Sequence, residues 1–508
     1  QWFLLFIMPL HRKYEHLTHL STPHPYREAV RADELWLITL MMSAVGLLTA
    51  IKWQSLFPDL RDYRALGALP LRSWQIFAAK LAALLVVAAG VMGTLNFLPS
   101  FGFPALSAGR WAFQSSLAVR VWAHAGASLA ACAFFFFGLI ALQGVLLNLL
   151  PPRVFGRVTG YLQGCLVAVM LGLLVMSFSV EARITNMLLQ PEWARWLPPV
   201  WFLGLYQSLS GDPDSAMRVL ANRAEAALAF AVVLTLLTYL ISYRRHQALL
   251  VEGINGRAKD SRFGSKLHWL LPNPRQQAVV SFMTQTLARS SYHRMIVIGY
   301  AGLALALILT GFIGLGNLLG RFLYLHMIVL LFLLIGARHL FSLPTELKAN
   351  WIFQITESEG RGAWMHAVDR FVLFWGAALL LVIPSPLEVR LLGWRGVAEA
   401  ALFLLLGLLT YEWAFSSWEK MPFTCSHLPG KTPIWMILAV FGLIGGMVVL
   451  HSLLLGTLDN NFAFAAVCVG LLAAWMRVHH TRQQGWAALP LKYDELPEPA
   501  VQELRLLR

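Results

Sequence analysis

Gly430-Lys431-Thr432 is the nearest approach in this chain to a phosphate-binding loop, and it fails on spacing. The motif G-x-x-x-x-G-K-[ST] cradles phosphate on backbone N–H groups and needs a first glycine at position 425, where Cys425 stands. It also needs a strand before it and a soluble helix after it, whereas a long apolar run follows here. His11, His16, His19 and His24 lie close together with Glu15, and His16 and His19 have the spacing to share a helical face and hold a divalent metal. Pro23 and Pro25 interrupt that pattern, so these read as ordinary loop histidines, as do His479 and His480 near the C-terminal end. No Ser/His/Asp order and no H-E-x-x-H pattern is present. Cys132, Cys165, Cys425 and Cys468 show no zinc or disulfide spacing and read as small apolar fillers. The expectation is a chain that is not an enzyme, with no resident cofactor or metal.

Ionisable groups deep in apolar runs are expensive and therefore mark function when they occur. Glu412 is expected in the inner part of its run, while Glu225 and Glu399 fall at run ends. His124, His326 and His451 each stand alone in the sequence. Asn96, Gln143 and Asn148 are uncharged and suit hydrogen bonds between helices. On this reading, proton or sodium coupling has little support.

The elements that would position these residues are membrane spans. Of the 508 residues 58% are hydrophobic and 13% are charged, against roughly a quarter charged in soluble proteins. Apolar runs long enough to cross a hydrocarbon core lie near 35–53, 76–98, 121–150, 158–180 and 223–243, then near 295–315, 322–342, 367–383, 397–416, 434–456 and 460–476. Gln1 to Leu10 is apolar, lacks the features of a signal peptide, and reads as the outer end of a first span whose beginning precedes Gln1. The predicted fold is therefore an all-α polytopic membrane protein of two six-helix repeats, the first span truncated, with no large soluble domain. Its divisions are 1–243, a linker with an interfacial helix over 244–294, 295–476, and a tail over 477–508.

The net charge of +14 has no basic domain behind it; Lys and Arg lie between the spans. That distribution fits lipid headgroups rather than nucleic acid, and the positive-inside rule places 52–80, 151–157, 243–294, 343–370, 417–433 and the tail in the cytoplasm. The linker ends in an amphipathic stretch over 274–294, expected to lie at the membrane surface. The segment 181–222, rich in Trp and Pro, is expected outside, either as a partly re-entrant element or as a loop on the leaflet.

Two inner segments match in position between the halves: Phe57 to Lys80 and Leu343 to Arg370. Both follow a long span, open with Pro58 or Pro344, and run into the next span. The first elbow carries Asp59, Arg61, Asp62, Tyr63 and Arg64; the second carries Glu346, Lys348, Trp351, Glu357, Glu359 and Arg361. Mixed charges beside aromatic rings suit docking onto a soluble partner.

The run Phe57-Pro58-Asp59-Leu60-Arg61-Asp62-Tyr63, followed by Leu69-Pro70-Leu71 and Ala79-Lys80, resembles the coupling-helix region of the permease subunits of type-2 ABC exporters. The stretch 274–294 is similar to the connecting helix before each six-span unit of that family. The second elbow departs from the pattern, being longer and without an Asp-Tyr pair. The resemblance implies a fused pair of permease units driven by a separate ATPase dimer, with 151–157 and 417–433 as secondary contacts and an inner, cytoplasmic membrane location. The alternatives are a non-transporting membrane scaffold and an ion-coupled secondary transporter.

Overall fold

The computed structural model describes residues 3–19, 22–58, 70, 72–109, 115–179, 192–211, 214–251, 273–314, 318–345, 347–350, 362–377, 385–416, 418–425, 446, 457 and 460–487. The described residues form α-helices joined by turns and short 3-10 segments, with no strand among them. Nine of these helices are long and apolar enough to cross a membrane. The chain is an all-α polytopic membrane protein. Val86, Val87 and Phe97, like Phe462 and Val469, are exposed on such helices, as side chains facing lipid would be.

The chain divides into two compact units, Gln1–Arg257 and Ala258–Arg508. The first contains α1 (Leu4–Thr18), α2 (His24–Ile51), α3 (Ser73–Leu106), α4 (Leu117–Leu149), α5 (Pro152–Ser179), α6 (Pro198–Leu209) and α7 (Ser215–Val251). Helix α2 packs on α4, α5 and α6, and α7 packs on α4 and α6. It begins well before the apolar run at 35. Arg27, Glu28, Arg31, Asp33 and Glu34 lower the hydropathy there, yet their charges find partners. Lys13 Nζ lies 2.6 Å from Asp33 Oδ1, and Arg31 Nη2 lies 3.1 Å from Asp214 Oδ2. Asn148 Nδ2 donates to Ser242 Oγ at 2.9 Å and Asn96 Nδ2 approaches Cys132 Sγ at 3.7 Å, the interhelical role expected of them.

The segment 181–222 is not a loop spread on the leaflet where it is described. After a 3-10 turn over Glu192–Trp196, α6 inserts among α2, α4 and α7 and buries Phe202, Leu203 and Tyr206. Those rings and apolar side chains are too large to leave exposed when three helices offer a groove.

The second unit contains α8 (Pro274–Arg289), α9 (Ser291–Gly314), α10 (Leu318–Ser342), α11 (Gly362–Ala377), α12 (Ser385–Leu392), α13 (Trp394–Phe415) and α14 (Asn461–Ala487). The expected amphipathic helix is α8. Asn273 caps it, accepting from the Arg275 N–H at 2.9 Å, and Pro274 occupies the first turn. Its apolar face, Val279, Val280 and Met283, joins Phe341, Trp364, Val368, Phe415 and Phe423 in one core. Helix α14 runs on past the predicted span end at 476, so the first residues of the expected tail are helical. The span predicted at 434–456 lies almost wholly outside the described residues.

Candidate functional site

Asp59, Arg61, Asp62, Tyr63, Arg64, Glu346, Trp351, Glu357, Glu359 and Arg361 lie outside the described residues. Lys348 sits on the 3-10 turn Leu347–Asn350. The shoulders of both elbows are described, and both are fastened down. In the first, Gln163 Nε2 donates to the carbonyls of Ala50 and Ile51 at 3.1 and 3.2 Å, satisfying acceptors left over where α2 ends. The chain then turns through Trp53–Ser55, buries Trp53, Leu56 and Phe57, and is held by Tyr239. The Tyr239 hydroxyl donates to the Leu56 carbonyl, and its ring stacks on Phe57 at 4.5 Å.

In the second elbow, His293 Nε2 donates to the Leu343 carbonyl at 3.2 Å. The Thr345 N–H donates to Phe423 O at 3.0 Å, the Phe423 N–H donates to Phe341 O at 2.8 Å, and Asn350 Nδ2 donates to Thr424 O at 2.7 Å. Phe423 has φ of 67°, a conformation that a non-glycine residue adopts only under such constraint. Phe423 and Thr424, in the segment expected as a secondary partner contact, thus lie against the second elbow. The other short segment expected as a secondary contact, 151–157, is largely the first turns of α5 rather than a loop.

The histidines read as solitary are not. His124 on α4 and Glu34 on α2 are fully buried, with Nδ1 at 2.8 and 2.9 Å from the two carboxylate oxygens. The pairing answers the buried carboxylate across two helices, while His124 Nε2 has no hydrogen-bond partner among the described residues. Beside them Tyr14 donates to Asp33 Oδ2 at 2.7 Å. Burial, reinforced by the negative Asp33, holds the Tyr14 hydroxyl well above its ordinary range, so it remains a donor.

Glu412 and His479 form a second cluster with Asp369, Tyr411 and Arg482. His479 Nδ1 lies 2.6 Å from Glu412 Oε1, and Arg482 Nε lies 3.0 Å from Glu412 Oε2. Asp369 accepts from both Tyr411 and Arg482, and the guanidinium sits 4.9 Å from the Tyr411 ring centre. This corrects the reading of His479 as a loop histidine. The extra turns of α14 exist because Arg482 and His479 neutralise carboxylates on α11 and α13. His480, by contrast, is exposed.

The third cluster joins His326 on α10, Glu388 on α12 and Glu399 on α13, all with no exposed surface. One ligand atom of each lies within 4.8 Å of those of the other two, the only such trio among the described residues. His326 Nδ1 faces the Phe322 carbonyl at 2.8 Å, and a carbonyl only accepts, so Nδ1 carries the proton. Nε2 then points at Glu388 Oε2, 3.5 Å away. None of the four carboxylate oxygens receives a hydrogen bond from a donor of another described residue type; the two carboxyl groups meet each other. Burial pushes Glu388 up to about 7, against a smaller downward pull from its contact with Glu399. Two glycines permit the approach. Gly393, at φ 62°, turns the chain from α12 into α13, and a Cβ on Gly396 would lie 2.9 Å from both Glu388 Cγ and its carbonyl oxygen.

Sequence reasoning missed all three clusters because partners on different helices have no fixed spacing. One signal was available. In each half the second and fourth predicted spans carry a Glu and a His near the same end: Glu34 with His124, and His326 with Glu399. No family model matches this chain, and neither does any curated protein or solved structure.

Proposed function

We propose that this chain is the permease subunit of an ABC transporter, moving an amphiphile, lipid or peptide across the cytoplasmic membrane with energy from a separate ATPase dimer. The linker and C-terminal tail face the cytoplasm on this reading. The observation that carries it is the fastening of both elbows at their shoulders, by Tyr239 and Gln163 in one unit and by His293 and Phe423 in the other. An element that transmits force between a soluble motor and a span must be stiff where it joins the bundle; a slack loop would absorb the motion. A second support is that the buried carboxylates of Glu34 and Glu412 are paired with His124 and with His479 and Arg482, which favours a structural role for them over a route for ions.

The test is affinity purification of the chain from its own membranes in mild detergent, with identification of the bound ATPase. An ATPase recovered with the chain, and lost when Arg61 and Arg64 are both changed to Glu, is the expected result. Recovery unchanged by that reversal and by Glu357→Lys with Glu359→Lys would defeat the docking reading.

A further inference from the structure

We propose that His326, Glu388 and Glu399 form a zinc site that ties α12 to α10 and α13. The Nδ1 proton is committed to Phe322 O, which leaves the Nε2 lone pair facing Glu388 Oε2 at 3.5 Å. Opposite it stand four carboxylate oxygens, fully buried and without a donor from elsewhere in the described residues. Five acceptor atoms around one point repel one another unless something positive lies among them. A proton on Nε2 would offer Glu388 one long contact, and a proton shared by the two carboxyl groups would engage one oxygen of each and leave the others unanswered. A divalent cation answers both carboxylates at once and makes the site neutral.

The donor set selects the class of cation. One imidazole nitrogen with carboxylate oxygens suits zinc, while magnesium and calcium prefer oxygen alone. The hydrogen bond from Nδ1–H to a backbone carbonyl is the outer contact that ligating histidines usually make, since it fixes the tautomer and aims Nε2. Zinc needs neighbouring ligand atoms roughly 3.3 Å apart at bond lengths of about 2.0 Å. Side chains whose ligand atoms already fall within 4.8 Å reach that by small rotamer changes. With three protein residues and no exposed surface, the fourth position is filled by a second oxygen of either carboxylate. Such a closed site holds structure rather than performing chemistry. Phe403, stacked on the His326 ring at 5.1 Å, closes one face.

The test uses the full chain in detergent, stripped with a chelator and then dialysed against zinc, with metal per chain measured by mass spectrometry and folding by thermal melting. One zinc per chain is expected, undiminished by excess magnesium and unchanged in the exposed-residue control His480→Gln. Glu388→Gln and Glu399→Gln should each weaken zinc affinity on the order of 100-fold. A folded wild-type chain that takes up no zinc overturns the proposal, and so does zinc retained at full affinity in the double Gln variant. Should the variants fail to fold, X-ray absorption on the wild type decides. One nitrogen with carboxylate oxygens at about 2.0–2.2 Å supports the site; several imidazoles or sulfur overturn it.

Discussion

Glu34 with His124 and Glu399 with His326 place the same two residue types on two helices of each unit, α2 and α4 in the first and α13 and α10 in the second. In the first unit the imidazole turns its Nδ1 to the carboxylate, and a single proton serves both oxygens at 2.8 and 2.9 Å. In the second unit Nδ1 is spent on the Phe322 carbonyl, and Glu388 arrives as an additional carboxylate on α12. The Glu34 carboxylate is therefore answered by a proton, while His124 Nε2 is left without a hydrogen-bond partner among the described residues; the second site is a set of acceptors. Where a histidine sends its one proton decides whether a buried carboxylate finds a partner or a deficit.

The comparison is most easily broken at His124. His124→Ala leaves the fully buried Glu34 carboxylate without its partner and should destabilise the first unit by about 3–5 kcal/mol. Unfolding titrations in mixed micelles measure this. The corresponding neutralisations in the second unit should act in opposite directions according to metal. In chelated protein, Glu388→Gln with Glu399→Gln relieves the uncompensated acceptors and should stabilise by about 1–3 kcal/mol, whereas in zinc-loaded protein the same change lowers the melting temperature. Glu34→Gln should destabilise with or without chelator, because its partner is a proton.

Gly396→Ala sharpens the contrast through packing. The added methyl would press on the Glu388 backbone and side chain and should cost about 1–3 kcal/mol, with weaker zinc binding as the accompanying sign. The smallest effect belongs to the rim of the first unit. Lys13 and Asp33 pair at 2.6 Å with the lysine side chain 30% exposed; Asp33 is buried but keeps the Tyr14 hydroxyl as a donor, so Lys13→Met should cost about 1 kcal/mol, and less as salt is added. Thermal melts across a salt series check it.

The spans were legible because crossing lipid demands long apolar runs, and nine described helices meet that demand. The amphipathic helix α8 was legible for a related reason: its apolar residues recur at helical spacing behind an Asn-Pro start. The early start of α2 was hidden because hydropathy counts Asp33 and Glu34 as solvent-seeking, although Lys13 and His124 satisfy them inside the fold. The insertion of α6 was hidden too, since Trp and Pro serve a headgroup-level loop and a packed helix equally well. Glu388 was the least legible residue of all. Nothing in its local sequence announces burial; the turn at Gly393 and the bare Cα of Gly396 bring it in.

The measurement that bears most directly on the proposed function places a photo-cross-linking residue at position 62 in the first elbow, at 359 in the second, and, as a control, at 15, which that reading puts on the opposite side. If this chain is a permease worked from the cytoplasm, both elbow positions should capture the same soluble ATPase in intact membranes while position 15 captures none. Capture of no ATPase at either elbow, in membranes where the chain is folded and abundant, would contradict it.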